Sequence, residues 1–391
     1  MIAAALDLLL GPPAPGVLGA AVAEYGGELR SLDPVTVTVR PDGAVLVRYR
    51  ASVRRTDGSR GREVLVAATG SALPAGAAVV AGEYRGLDLH VGVWRWPQDP
   101  ALPGLALLDD PVTGLRELGV CPTGPVRAVV RAYRPGRRAV VEISDGTQTW
   151  FAKVVRPDAV AALRARHDLL APSVPVPSVL GCSDDGVVVL PRAPGTPLRD
   201  LLTRDEMPLP GPAHLEALLT ALPDRVMTLP GRRTVLDRVD DAAAVLRLTA
   251  CGTPGLLGTL RRLHDELRSA ATPLHAVVPT HGDFYEGQLL AVDGRVTGLL
   301  DVDTVGPGER ADDWATLIGH LSVAGPAVPR ARHYMDQMLR FACRRVEPAA
   351  LRHRVAAVVF GLATGPFRTC HPRWPQLTAR RLELARTWLH R

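Results

Sequence analysis

The sequence predicts an α+β protein in which a β-rich region precedes a largely helical one. Up to about residue 195, short apolar runs alternate with Asp-Gly and other turn sequences, as is typical of antiparallel strands. From Pro197 onward, apolar residues recur at helical spacing in segments that Gly and Pro interrupt. One further hairpin is predicted between Gln288 and Leu300. With 391 residues, of which 47% are hydrophobic, the chain is long enough for two or three folding units.

The first predicted unit, residues 1–118, is a β-rich N-terminal cap. It opens with a short amphipathic helix that Pro12 and Pro13 end. Strand-like runs follow at 35–39, 44–49, 64–68 and 91–96. Asp42-Gly43 separates the first two runs, which predicts a tight hairpin.

The second predicted unit, residues 119–195, contains three antiparallel strands, a helix, a further strand and a connecting segment. The strands are expected at 126–133, 138–143 and 149–155, with a basic turn at 134–137. The third strand carries Lys153, which is the only lysine of the chain. Arg replaces Lys elsewhere, so a retained lysine suggests a site where a compact point charge is required.

A weak internal repeat relates the first two units. Residues 40–49 resemble residues 134–143, and the strand at 64–68 resembles 149–153, with Ala68 in the place of Lys153. Two explanations remain open: the cap is a degenerate copy of the second unit, or two β hairpins happen to look alike.

The third predicted unit, residues 196–391, is mainly helical and contains the sequence THGDFYEGQLLAVDGRVTGLLDVD from Thr280 to Asp303. Asp283 lies in a loop, and Gln288 follows five residues later. Asp301 and Asp303 come at the end of the second strand of the predicted hairpin. A loop acid beside an amide and a second acid suits phosphoryl transfer, because Mg²⁺ prefers oxygen ligands and retains its phosphate partners.

These residues resemble the catalytic loop of the aminoglycoside phosphotransferase and choline-kinase-like superfamily, small-molecule kinases with a protein-kinase-like fold. The family loop H-G-D-x-x-x-x-N corresponds to HGDFYEGQ here. The family strand that ends in I-D corresponds to LLDVD, and the family tail G-x-x-x-x-D-x-A corresponds to GERADDWA. Gln288 stands where the family has Asn, and the chain contains no Asn at all. The resemblance implies a bilobal fold with an antiparallel β small lobe, a helical large lobe and an additional N-terminal cap.

The resemblance also implies roles for individual residues. Asp283 would be the catalytic base, Gln288 and Asp301 would hold Mg²⁺, and Lys153 would bind the phosphates of ATP. His281 and Asp313 would have structural roles. The turn residues Arg134, Gly136 and Arg137 would lie over the phosphates, although they do not form a glycine-rich loop. The helix after Lys153 lacks the expected Glu, so Asp168 is the candidate partner of that lysine.

The acceptor is predicted to be a small molecule, with a sugar or amino sugar favoured over an aminoglycoside antibiotic. Between Arg330 and Arg391 there are thirteen arginines and only three acids, Asp336, Glu347 and Glu383. A basic cleft would repel a polycationic antibiotic. Glu286, Asp303 and Asp237 are candidate acceptor-binding acids, which keeps the aminoglycoside alternative open. The layout of a cap and a kinase resembles the maltokinase and glucosamine-kinase branches.

Two other classes of protein each fit part of the sequence. A nucleotide-binding pseudokinase or scaffold is suggested by Gln288 and the missing Glu, but Asp283, Asp301 and Lys153 argue against it. A nucleic-acid-binding protein is suggested by the net charge of +6, but aromatic residues make up only 4% and no binding motif is present. No membrane-spanning run was found, and the five scattered cysteines favour a cytoplasmic protein without disulfides or zinc.

Overall fold

The computed structural model describes residues 2–231, 233–250, 253–269 and 276–391, so Cys251 lies outside the described residues. The described elements form the predicted α+β fold, with antiparallel sheets in the first half and helices in the second. The strands are β1 Gly27–Val39, β2 Val45–Arg55, β3 Arg60–Thr69, β4 Ala78–Tyr84, β5 Leu87–Arg95, β6 Arg127–Arg134, β7 Arg138–Ser144, β8 Thr149–Val155, β9 Gly181–Cys182, β10 Val187–Pro191, β11 Thr196–Pro197, β12 Val277–Thr280, β13 Leu289–Val292, β14 Arg295–Leu299 and β15 Gly306–Glu309.

The α-helices are short in the first half and longer in the second. They are α1 Ile2–Leu10, α2 Ala14–Glu24, α3 Pro111–Glu117, α4 Val160–Leu170, α5 Leu198–Leu201, α6 Pro212–Thr220, α7 Val239–Thr249, α8 Pro254–Ser269, α9 Arg310–Ala324, α10 Pro329–Ala342, α11 Pro348–Leu362, α12 Gly365–Arg368 and α13 Trp374–Leu389. Among the described residues, no single helix has the length and apolarity needed to cross a membrane, and only the bent pair α1–α2 meets those criteria jointly.

The cap is a five-stranded antiparallel sheet in the order β1-β2-β3-β5-β4. Because successive side chains of a strand point to opposite faces, the sheet has two apolar sides. One side packs on α1 and α2 through residues such as Val45, Val47 and Tyr49. The other side, which includes Leu46 and Val66, packs on the second sheet.

The small lobe has the same strand order as the cap. Its sheet runs β6-β7-β8-β10-β9, and the sheet of the cap runs β1-β2-β3-β5-β4. Ala68 pairs with Leu46 in the cap, and Lys153 pairs with Val140 in the small lobe, each between the second and third strands. The shared order favours the hypothesis of a degenerate copy. The small lobe also contains α4 between its third and fourth strands, whereas the cap has only a short turn there.

The large lobe places the segment from Thr280 to Asp303 between two small β units. The hairpin β13–β14 forms around Asp293-Gly294, as predicted, and β11 pairs with β13. Strand β12 pairs with β15, which brings the start of the loop beside the end of the segment. The helices bury this unit in a continuous core that includes Phe284, Trp314 and Phe360. The connection at 192–195 joins the lobes, where Thr297 Oγ1 donates to Pro194 O at 2.7 Å.

Candidate active site

The loop that follows β12 is held in place by the first turn of α9. Asp313 is fully buried and accepts hydrogen bonds from the backbone N–H groups of His281 (3.0 Å) and Gly282 (2.7 Å). An acid in the first turn of a helix is also favoured by the helix dipole. His281 donates from Nε2 to Leu300 O at 3.0 Å, and its Nδ1 accepts from the Asp283 N–H at 3.4 Å. The loop backbone is therefore fixed directly before Asp283.

Asp283 is a partly buried carboxylate with an altered acidity. Burial raises its pKa, and the neighbouring charge of Asp301 raises it further, while His281 and Gln288 act in the opposite direction; the net change is upward. A carboxylate with a raised pKa is a stronger base than an exposed one. Asp283 is therefore suited to accept a proton from a hydroxyl group placed beside it.

Gln288 lies between the two acids of the site. Its amide nitrogen is 3.4 Å from Asp283 Oδ2, 3.4 Å from Asp301 Oδ2 and 3.2 Å from the Tyr285 hydroxyl. The side chain is buried, so its position is set by the 285–288 turn that begins β13. Rotation of the terminal amide by half a turn would place Oε1, instead of the amide nitrogen, between Asp283 and Asp301.

Asp301 and Asp303 are bound to two cations from the small lobe. Arg138 makes a bidentate contact with Asp301, at 2.8 Å for both oxygens, and reaches Asp303 at 3.0 Å. Lys153 lies 3.1 Å from Asp301 and also pairs with Asp303. Burial alone would raise the pKa of Asp301, but Lys153 and Arg138 outweigh it and hold the pKa well below its usual range.

The residues present fit a Mg²⁺–nucleotide site. Asp301 and the Gln288 amide supply hard oxygen ligands, and a site built from one or two carboxylates is normal when phosphates complete the coordination. No group of three His, Cys, Asp or Glu side chains suited to a metal occurs among the described residues. Asp301 also has a left-handed backbone conformation (φ 58°), which is rare for a non-glycine residue and frequent at functional sites.

The predicted phosphate turn is held by the cap. Asp99 accepts hydrogen bonds from the Gly136 N–H and the Tyr133 hydroxyl, both at 2.8 Å. Gly136 has a positive φ of 67°, which the turn requires. Arg134 and Arg137 are exposed at this turn. The cap therefore fixes the backbone of the turn, while the arginine side chains remain accessible.

The structure corrects the prediction for Asp168 and relocates three candidate acids. Asp168 is exposed and lies 3.6 Å from Arg164; Lys153 instead pairs with the two acids at the end of β14. Glu286 is buried and accepts from Arg199 at 2.9 Å. Asp237 is exposed and accepts from the Thr234 N–H, and Asp303 lies on the Lys153 side of the site.

Asp283 also lines a cavity of about 250 Å³. Thr316, His320 and Arg238 supply its other polar side chains, and apolar side chains such as Val235 and Val358 complete it. His320 stacks on Tyr285 with ring centroids 4.2 Å apart. Burial and the nearby arginines Arg199, Arg381 and Arg368 lower the pKa of His320 to about 4, so its ring is neutral at pH 7.

Three residues of this arrangement were not singled out from the sequence: Arg138, Arg238 and His320. A signal for Arg138 was available, because the register of the β7–β8 hairpin pairs Val140 with Lys153. Alternation along β7 then places Arg138 on the face of Lys153. Arg238, directly before α7, and His320 on α9 are distant from Asp283 in sequence, and nothing in the local sequence relates them to it.

The profile of the phosphotransferase enzyme family matches residues 129–348, which is more than half of the chain. No curated protein matches the chain by sequence.

Solved structures with a similar fold include aminoglycoside and macrolide phosphotransferases. The gentamicin complex of APH(2")-IIa is 12% identical, with a TM-score of 0.50, and the match covers 73% of this chain and 98% of that chain. APH(4)-Ia is 15% identical (TM-score 0.47, 70% and 96% covered), and macrolide 2'-phosphotransferase MphH from Brachybacterium faecium is 19% identical (TM-score 0.42, 71% and 97% covered). At 12% identity, the similarity to APH(2")-IIa concerns the fold alone. By its family match, the chain belongs to the phosphotransferase enzyme family.

Proposed function

We propose that this small-molecule kinase transfers the γ-phosphate of ATP to a hydroxyl group of a sugar or amino sugar, with Mg²⁺ as the metal. ATP and Mg²⁺ are the cofactors of the family, and the donor set of Asp301 and Gln288 suits the metal. One observation supports the proposal most. The Asp283 carboxylate lines a cavity that could hold an acceptor, and Gln288 links the same carboxylate to Asp301, which pairs with Lys153.

In this mechanism the protein mainly positions groups and neutralises charge, as is usual for phosphoryl transfer. Asp283 accepts a hydrogen bond, and then a proton, from the acceptor hydroxyl. Lys153 binds phosphate oxygens, and Asp301 and Gln288 would hold Mg²⁺, which neutralises charge on the phosphates when bound. Asp313 keeps the loop from shifting, because both of its oxygens are used by loop N–H groups.

Sugars are proposed ahead of aminoglycosides because of the charge around the cavity. Arg238 lines the cavity, and Arg199, Arg368 and Arg381 all act on His320 in its wall. Polycations bind best where acids predominate, and the candidate acids Glu286 and Asp303 are each paired with a cation. An aminoglycoside acceptor remains the alternative, and the acceptor assay distinguishes the two.

The test is ATP-dependent phosphorylation of a panel of neutral sugars, amino sugars, disaccharides and aminoglycosides, with the phosphorylated product identified by mass spectrometry. The proposal predicts a product with a member of the sugar classes and none with Asp283→Ala. Phosphorylation of aminoglycosides alone would replace the sugar assignment with the alternative.

A further inference from the structure

A second cavity, of about 300 Å³, lies beside the one that contains Asp283. Ala242 on α7 and Gly361 on α11 line both cavities, so they adjoin each other. Together they have the size of a small-molecule binding site, for which about 300–1,000 Å³ is usual. The outer wall of the second cavity is formed by Val37, Thr38 and Val39 of the cap strand β1. The cleft beside the catalytic base therefore extends from the large lobe to the cap.

Each half of this cleft contains an exposed arginine that is not tied to a described neighbouring side chain by a hydrogen bond. Arg238 lines the inner cavity and Arg368 the outer one. Within the described part of the chain, neither guanidinium forms an ion pair or a side-chain hydrogen bond. Other arginines nearby are used: Arg199 pairs with Glu286, and Arg381 donates to Leu362 O at 2.6 Å.

Few acids compensate for these two cations. Apart from Asp283, the one carboxylate among the described lining residues is Asp241, which is paired with Arg233 at 2.5 Å. His320, in the wall of the inner cavity, is neutral and lies close enough to Arg368 for that charge to oppose its protonation. The cleft thus carries two positive charges next to the proposed catalytic base, and the charge of Asp283 itself acts only on the nearer one, Arg238.

We propose that the acceptor carries an anionic group, a carboxylate, phosphate or sulfate, which Arg238 and Arg368 bind while its hydroxyl group faces Asp283. This inference rests on the proposed kinase function and narrows its acceptor class. Arginine suits the task, because its planar guanidinium forms paired hydrogen bonds with carboxylate and phosphate oxygens. The apolar side chains of Val37, Val245 and Phe367 line the outer cavity and would contact the rest of the acceptor.

The charge of the acceptor is tested with compounds of similar shape: glucose, glucosamine, glucuronate and glucose 1-phosphate. Binding is measured by calorimetry in the presence of ADP and Mg²⁺, and phosphorylation is measured in parallel with ATP. We expect at least one anionic compound to have a kcat/KM at least tenfold above that of glucose. Arg238→Gln and Arg368→Gln should each reduce that preference at least tenfold without changing the KM for ATP. Arg380→Gln, which changes an exposed arginine of α13 outside both cavities, should change neither.

Three results would overturn this inference: equal use of glucose and the anionic compounds, a preference for glucosamine, or absence of binding of both anionic compounds. A rise in the KM for ATP in Arg238→Gln with an unchanged acceptor KM would also overturn it, because Arg238 would then bind the nucleotide. Phosphorylation of glucose or glucosamine with a kcat/KM equal to or above that of the anionic compounds, if Asp283→Ala abolishes it, would support the kinase function and overturn this inference. Anion binding that Arg238→Gln removes, without phosphorylation of any compound, would count against the kinase function and also against the assignment of the bound anion as an acceptor.

Discussion

At the residue scale, Asp283 and Gln288 connect the two halves of the site. The Gln288 amide lies within hydrogen-bonding distance of both Asp283 and Asp301, so one side chain links the proposed base to the proposed metal ligand. Gln has one methylene more than the Asn of the family pattern. The buried position of Gln288 shows that the 285–288 turn accommodates the longer side chain beside Tyr285.

The raised pKa of Asp283 has a consequence for the dependence of activity on pH. A carboxylate must be ionised to accept a proton, so kcat/KM should fall as the pH drops through the pKa of Asp283. Because burial and Asp301 raise this pKa, the acid limb should lie above the ordinary value of 3.8. Gln288→Leu removes a hydrogen bond that lowers the pKa and should move the limb to still higher pH. A limb at or below 3.8 in both proteins would contradict this account of Asp283.

The metal assignment predicts a contrast between two substitutions of Gln288. Gln288→Leu removes the amide oxygen, so the Mg²⁺ concentration for half-maximal activity should rise by about 10–100-fold, which is typical for loss of a metal-site interaction. Gln288→Asn keeps the oxygen and should change that concentration much less. Titration of activity with Mg²⁺ measures both. Equal effects of the two substitutions would show that the amide oxygen does not contact the metal.

At the element scale, the first turn of α9 positions the catalytic loop. Asp313→Ala would remove the buried carboxylate that accepts from the N–H groups of His281 and Gly282, and loss of a buried hydrogen-bond acceptor costs about 1–3 kcal/mol. We expect a lower free energy of unfolding in urea together with a lower kcat. Asp205→Ala, which removes an exposed acid, is the matched control and should be nearly neutral. An unchanged stability and kcat for Asp313→Ala would contradict the role of this turn.

The elements that the sequence predicted best are those with turn signals and a single apolar face. Asp42-Gly43 and Asp293-Gly294 marked hairpins that the structure contains. Strand β4 was not predicted, because it is an edge strand without a fully buried residue and so lacks the apolar alternation of a half-buried strand. The polar first half of β1 was missed for the same reason.

The site was predictable only where its residues are close in sequence or match a motif. Asp283, Gln288 and Asp301 belong to one segment, so their proximity followed from the hairpin. The pairing of Lys153 with Asp301 and Asp303 joins residues about 150 positions apart and depends on how the lobes pack. Without that packing, Asp168 was the only acid inside the helix that follows Lys153, and the prediction for it was wrong.

At the scale of the whole molecule, the cap and the small lobe share one apolar core. Trp94 of β5 is buried among residues of both sheets, and its Nε1 donates to the Tyr133 hydroxyl at 3.1 Å. Arg48 of the cap donates to the Tyr133 carbonyl at 3.1 Å. These contacts cross the boundary that the sequence suggested near residue 118. The sequence could not predict them, because an apolar face of a sheet does not indicate which element covers it.

A shared core predicts cooperative unfolding of the cap and the small lobe. Trp94→Ala should destabilise the protein by about 3–5 kcal/mol, as expected for removal of a buried aromatic side chain. Calorimetry should show the cap and the small lobe unfolding in one transition at a lower temperature. A separate early transition of residues 1–118, with the rest unfolding at the wild-type temperature, would show that the two sheets are energetically independent.

The most direct test of the account is ADP release from ATP and Mg²⁺, measured across neutral, cationic and anionic sugars for the wild-type protein and for Asp283→Ala. The account predicts release that one class of acceptor stimulates and that falls by at least about 10²-fold in the variant, since general-base catalysis contributes about 10²–10⁴-fold. Acceptor-stimulated release that persists unchanged in Asp283→Ala would contradict the assignment of Asp283 as the base.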